Sequence, residues 1–133
     1  MYQFWYTRPM EPGKRIAVRF YRTASGREPV RDWLMTLSRA DRLVIGTDIK
    51  TVEFGWPVGL PVCRSLADGL WEVRSSLNNR IARVLFCIAG RTMWLLLGFI
   101  KKQAKTPPKE MALARRRMRD VLAALNADKR GTP

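Results

Sequence analysis

Three apolar runs lie between Arg64 and Pro107, separated by turn-forming residues and carrying basic side chains within or just beyond them; no other feature constrains the chain as strongly. In the first, Trp71 and Val73 point one way while Leu70, Glu72 and Arg74 point the other, the two-residue period of a strand. The second run, about 81–88, places Ala82, Val84, Phe86 and Ile88 on one face and Ile81, Arg83, Leu85 and Cys87 on the opposite one. Ser75 to Asn79 are read as the turn between them, because Asn78 and Asn79 tolerate the positive backbone angles of a hairpin. Ala89, Gly90 and Arg91 turn the chain again, and Met93–Ile100 is almost uniformly apolar. A strand apolar on both faces belongs in the middle of a sheet covered from both sides.

The flanking segments supply the covers. Ile16, Val18 and Phe20 alternate with Ala17, Arg19 and Tyr21, which predicts a strand over about 15–21. Pro29, Val30, Trp33, Leu34 and Leu37 predict a short helix. Ser38 caps a second one, with Asp41 in its first turn and Ala40, Leu43, Val44, Thr47 and Thr51 facing inward, the stripe widened by Ile45, Ile49 and Val52. The two helices are expected as an antiparallel pair across one side of the sheet. GWPVGLP, residues 55–61, is a loop that leads through Arg64 into the first run. Thr106 caps a last helix with Pro107 in its first turn and Met111, Ala114, Met118, Val121, Leu122 and Leu125 on its apolar side. The expectation is one α+β domain, an N-terminal strand, a helix pair, a twisted antiparallel sheet of three or more strands and a C-terminal helix. Its core spans about 15–125, with 1–14 and 127–133 flexible or ordered by a partner.

Composition narrows the function. With 25 Lys and Arg against 11 Asp and Glu among 133 residues, the formal charge is +14, far beyond what solubility needs. A polyanion, nucleic acid first, is the expected recipient, ahead of an acidic protein or a membrane surface. There is no histidine, and Cys63 and Cys87 have no metal-binding spacing. Structural zinc, a His-assisted nucleophile and a two-histidine ribonuclease are thereby excluded, and no metal or other cofactor is expected. Cys87 reads as core, whereas Cys63 is compatible with exposure, and no disulfide is required. No signal peptide opens the chain and no run reaches the roughly 18 to 20 apolar residues of a membrane span, so a reducing cytoplasm is the expected setting.

Pleat parity gathers the candidate chemistry. If Trp71, Val73, Val84 and Phe86 face the core, Glu72, Arg74 and Arg83 share the other side, with Lys101 and Lys102 at the end of the last strand. Metal-free RNA cleavage needs a base for the 2′-hydroxyl, cations for the phosphorane-like transition state and a proton for the leaving oxygen. Glu72 is a candidate base. Lys101 or Lys102 qualifies as base or acid once burial or neighbouring charge lowers its pKa. Arg74 and Arg83, permanently charged and fork-shaped, suit the phosphate. Arg64, Arg80, Arg115, Arg116 and Arg119 are candidate RNA or phosphate contacts. The plainer alternative is that Glu72 neutralises its arginine neighbours while the lysines cover a soluble edge. Trp71 and Phe99 are expected in the core.

The strings PVCRSLADGLWEVRSS, NRIARVLFCI and LLLGFIKKQAKTPPKEMALARRRMRD resemble the phage-derived, HigB-like branch of the RelE/ParE toxin superfamily, over about Ile16–Asp120. The resemblance implies a cytoplasmic toxin that cuts messenger RNA on the ribosome and is paired with a neutralising antitoxin, a helix-turn-helix protein encoded alongside it. DNA would be met only through the antitoxin complex. It also implies that Arg83 holds the catalytic arginine position and that Lys101 or Lys102 falls near the basic residue ending the last strand. The chain departs from RelE-like enzymes in lacking their second-strand lysine pair and any tyrosine or histidine after Lys102. ParE-like inhibition of DNA gyrase, or a non-catalytic nucleic-acid or protein-binding role, therefore stands as the alternative.

Overall fold

The computed structural model describes residues 13–59, 62–101 and 106–131. Strand β1 (Ala17–Phe20) leads into helices α1 (Pro29–Met35) and α2 (Arg39–Gly55). Strands β2 (Cys63–Ser65), β3 (Leu70–Leu77), β4 (Arg80–Ala89) and β5 (Thr92–Lys101) follow, then helix α3 (Pro108–Gly131). The strands form one sheet in the order β1-β5-β4-β3-β2. All neighbours run antiparallel except β1, which lies parallel to β5. The expected α+β architecture is present, with a mixed rather than purely antiparallel sheet.

Helices cover both faces. On one, α1 packs on β5 and α2 on β3, burying Val30, Leu34, Ile45, Ile49 and Val52 against Val18, Phe20, Val73, Val84, Phe86, Met93 and Leu95. On the other, Ala114, Met118 and Val121 of α3 close over Leu70, Leu85, Cys87 and Leu96. Strand β5, between β1 and β4, is thus covered twice, as its uniform apolarity requires. Gly98 permits the close approach of α1: a Cβ there would overlap the indole of Trp33. Overpacking of this kind costs about 1–3 kcal/mol.

Several local expectations are corrected. Strand β3 continues to Leu77, and only Asn78 and Asn79 separate it from Arg80, with Asn79 at φ 57°. The cross-strand ladder extends through Ser75 and Ser76 because their backbone groups pair with Ala82 and Ile81. Ser38 does cap α2, accepting the Asp41 amide at 3.1 Å. The helix, however, turns Ile45, Gly46, Ile49, Val52 and Glu53 inward, while Ala40, Leu43, Val44, Thr47 and Thr51 face solvent. Two overlapping apolar stripes run along α2, and the β-branched one won the sheet. Cys63 is buried, and Arg64 sits on a short edge strand rather than in a loop. The first helical hydrogen bond of α3 is donated by Met111 to Pro107, which shifts the start to Pro108, and the helix continues through Gly131 where a frayed tail was expected.

One irregularity matters for the site. Between Leu85 and Phe86 of β4 the pairing with β5 changes register, from Leu97 to Leu95. Leu96 is the extra residue of this β-bulge, and both Leu96 and Leu97 pack on the α3 side. Beyond the bulge, odd-numbered residues of β5 share the face of Arg83. Helix α3 grips the same point, since the Arg117 guanidinium donates to the Leu96 carbonyl at 2.8 Å.

Candidate active site

The α3-facing side of β3, β4 and β5 carries the predicted cluster. Arg74 lies directly opposite Arg83, and Arg83 directly opposite Phe99. Cross-strand like charges repel, and a carboxylate is folded in beside them. Glu72 has no exposed surface, and Arg83 is only 3% exposed. One oxygen of Glu72 accepts from the Arg83 guanidinium and lies 3.0 Å from Nη2 of Arg64. The other lies 3.5 Å from the Thr106 hydroxyl, two residues before α3 begins. The positive end of the α3 dipole is therefore beside the cluster, a placement that favours anions.

Lys101 completes the group. The bulge puts its side chain on the Arg83 face, where it is 8% exposed, and its Nζ has no hydrogen-bond partner among the described residues. Nε of Arg83 and Nε of Arg64 are likewise buried without one. Burial, then the positive charge of Arg83, pull the Lys101 amine down to about 8; Glu72 opposes the shift, and Arg64 and Arg74 add to it. Arg83 is also lowered, first by burial, with Glu72 opposing. An arginine nonetheless stays protonated throughout the physiological range. Four cations thus lie around one carboxylate; Arg83 and Lys101 are buried, whereas Arg64 and Arg74 keep part of their surface in solvent.

The remaining candidates separate. Arg64 belongs to the cluster through its ion pair with Glu72. Arg80 does not: it projects on the helix-pair side and pairs with Asp41 at 2.9 Å. Arg115 reaches back to the β2–β3 connection, donating to the Leu66 carbonyl at 3.2 Å. There it steadies a turn in which Ala67 and Asp68, not only Gly69, take positive φ. Arg116 and Arg119 are exposed on α3, while Arg117 lies over the Tyr21 ring. Lys102 falls outside the described residues. Trp71 and Phe99 pack with the two cores, as expected.

Two features escaped the sequence reading. Thr106, read as a cap, turns toward Glu72 instead. Lys14 and Glu53 form a second buried pair on the far side of the sheet, at 2.9 Å. Nothing in a separation of 39 residues announces such a pair. Among the described residues, no three His, Cys, Asp or Glu side chains are grouped to hold a metal ion. No described helix is long and apolar enough to cross a membrane.

Fold and cluster together define a small α+β domain with a largely buried, cation-rich cluster near the start of its last helix. The chain belongs to the family described as phage derived protein Gp49-like (DUF891), whose model matches residues 32–119, from α1 into α3. A comparison with curated proteins finds no significant match.

Proposed function

We propose that this chain is the toxin of a type II toxin–antitoxin pair, a HigB-like member of the RelE/ParE superfamily that cleaves messenger RNA on the ribosome. The observation that carries the reading is the buried Lys101 amine, without a hydrogen-bond partner among the described residues and lowered to about 8 by burial and the neighbouring Arg83. A phosphodiester seated there would receive the donors that Arg83, Arg64 and Lys101 leave unused. The neutral amine of Lys101 takes the 2′-hydroxyl proton, and the 2′-oxygen forms its bond to phosphorus. The bond from phosphorus to the 5′-oxygen breaks, and water supplies the proton to that leaving oxygen. The products are a 2′,3′-cyclic phosphate and a free 5′-hydroxyl. Arg83 and Arg64 stabilise the charge that grows on the phosphorane oxygens.

Glu72 takes a different role from the base first considered. Fully buried and bonded to both arginines, it orients their guanidinium planes and tempers the repulsion between them. Purified protein should cut mRNA on translating ribosomes in the presence of a chelator. Arg83→Ala, checked for folding, should lower the rate by about 10²- to 10³-fold, the size of effect seen on removing one transition-state donor. Full cleavage by the folded variant would remove Arg83 from the mechanism. An acidic antitoxin encoded alongside is the partner that the charge favours.

A further inference from the structure

The margin of the sheet farthest from β3 is a second cationic region, and it is not part of the Glu72 cluster. Among the described residues strand β1 pairs only with β5, and no described strand lies along its other edge. The segments that build this margin, residues 15–27 and 89–95, contain Arg15, Arg19, Arg22, Arg27 and Arg91 and no acidic residue. All five arginines are exposed. None makes an ion pair among the described residues; Arg91 reaches only the Arg15 carbonyl, at 3.5 Å. The Arg91 carbonyl accepts from the Ala17 amide at 2.8 Å, which fixes the β4–β5 turn against β1 and brings Arg91 beside Arg15. The nearest acids on α3, Asp120 and Asp128, line the groove beside Arg22, and Asp120 is taken by the Tyr21 hydroxyl at 2.8 Å.

Position sets this margin apart from the candidate site. Arg19 lies opposite Trp94, seven residues before Lys101 on the same strand, roughly 20 Å at ~3.3 Å per residue. Arg15 and Arg19 span up to roughly 13 Å by the same rise, the length of about four base pairs along a duplex axis at ~3.4 Å each. Among the described residues the margin has no exposed aromatic ring: Phe20 and Tyr21 are buried and Trp94 is half-buried. Recognition of single strands depends on stacking platforms; a ridge of bare guanidinium groups suits the backbone of a duplex instead.

We infer that the β1 margin, through Arg15, Arg19, Arg22, Arg27 and Arg91, docks the phosphate backbone of a nucleic-acid duplex without reading its sequence. This surface rests on charge and exposure, not on the cleavage chemistry, and most of it precedes the span matched by the family model. The test is fluorescence anisotropy with a 20-base-pair RNA duplex and a DNA duplex of the same sequence, titrated over a range of salt. Arg15→Gln, Arg19→Gln and Arg91→Gln combined should weaken binding at least tenfold and flatten the log–log salt slope by about 2 to 3, one unit per lost phosphate contact. These side chains are exposed, so the variant's melting temperature should match the parent's. Weakening on either duplex supports the inference, and the pair shows whether RNA or DNA is preferred. Unchanged affinity and slope on both overturn it, as does parent protein that binds polyglutamate as tightly as either duplex. Cleavage is scored separately on single-stranded RNA. A chain that never cuts yet loses duplex binding in the variant keeps this inference and sinks only the nuclease reading.

Discussion

The sheet buries a carboxylate against basic side chains twice, once on each face, and the two sites differ in stoichiometry. On the helix-pair side, Lys14 meets Glu53, with side chains 3% and 0% exposed. The Arg15 and Ile16 amides both donate to the Glu53 carbonyl, at 2.7 and 3.3 Å, so the pair staples the chain leading into β1 to the end of α2. On the α3 side, Glu72 faces Arg64 and Arg83, with Lys101 and Arg74 close enough to perturb one another. On the helix-pair side the described cation, Lys14, lies in a salt bridge with its acid and acts as a structural joint. Four cations around one acid leave positive charge that no described residue neutralises, and a bound anion would.

Opposite responses to the same kind of substitution test this contrast most severely. Lys14→Met removes one side of the buried Lys14–Glu53 pair and should cost about 3–5 kcal/mol, the penalty for breaking a buried pair from one side. Urea denaturation measures it, and cleavage per folded molecule should be unchanged. Glu72→Gln should cost less, about 1–3 kcal/mol, because a charged acceptor becomes a neutral one with Arg64 and Arg83 still in place. It should also lower the Lys101 pKa further, since Glu72 is the group that raises it; NMR of the labelled ε-carbon reads the shift. Lys101→Met removes a buried cation that lacks a partner and should leave stability at pH 7 unchanged or higher by about 1 kcal/mol. If Lys101→Met were as costly as Lys14→Met, the distinction between the two sites would collapse.

The pH dependence has a definite sign. Below about 8 the Lys101 amine is charged both folded and unfolded, and its burial penalty is fully present. From about 8 to the ordinary lysine value of 10.5, the unfolded chain holds a proton that the folded chain has released, so stability rises with pH. The difference between the parent and Lys101→Met should therefore shrink across that window in paired denaturation curves. Cleavage should rise along a limb near pH 8 as the amine becomes neutral, and Lys101→Met should lose that limb. A rate that falls through pH 8 would assign Lys101 to anion binding rather than to proton removal.

Alternation made half of the cluster legible. Trp71 and Val73 against Leu70, Glu72 and Arg74, matched to the same rhythm in Ile81–Ile88, already put Glu72, Arg74 and Arg83 on one face. The burial of Lys101 was not legible, because Met93–Ile100 is apolar at nearly every position and has no period from which a register shift could be read. Strand β2 was missed because three residues carry no period at all. The inward face of α2 was misjudged for the opposite reason: the helix offers two apolar stripes, and only the sheet beneath decides between them. Arg80 and Arg115 looked like phosphate ligands by charge alone, but Asp41 and the Leu66 carbonyl had prior claims on them.

The bulge at Leu96 also bears on how this sheet tolerates changes in length. Trp94 and Leu97 face α3, whereas Leu95 and Gly98 face the helix pair. Excising Leu96 would therefore join two stretches that are already in phase, leaving an unbroken alternation from Met93 to Lys101. Strand β5 behaves as a regular ribbon into which one residue has been spliced without disturbing either flank. The sheet can gain or lose a unit of length there while Lys101 keeps its aim, and what the shortened chain would forfeit is the carbonyl by which Arg117 moors the last helix.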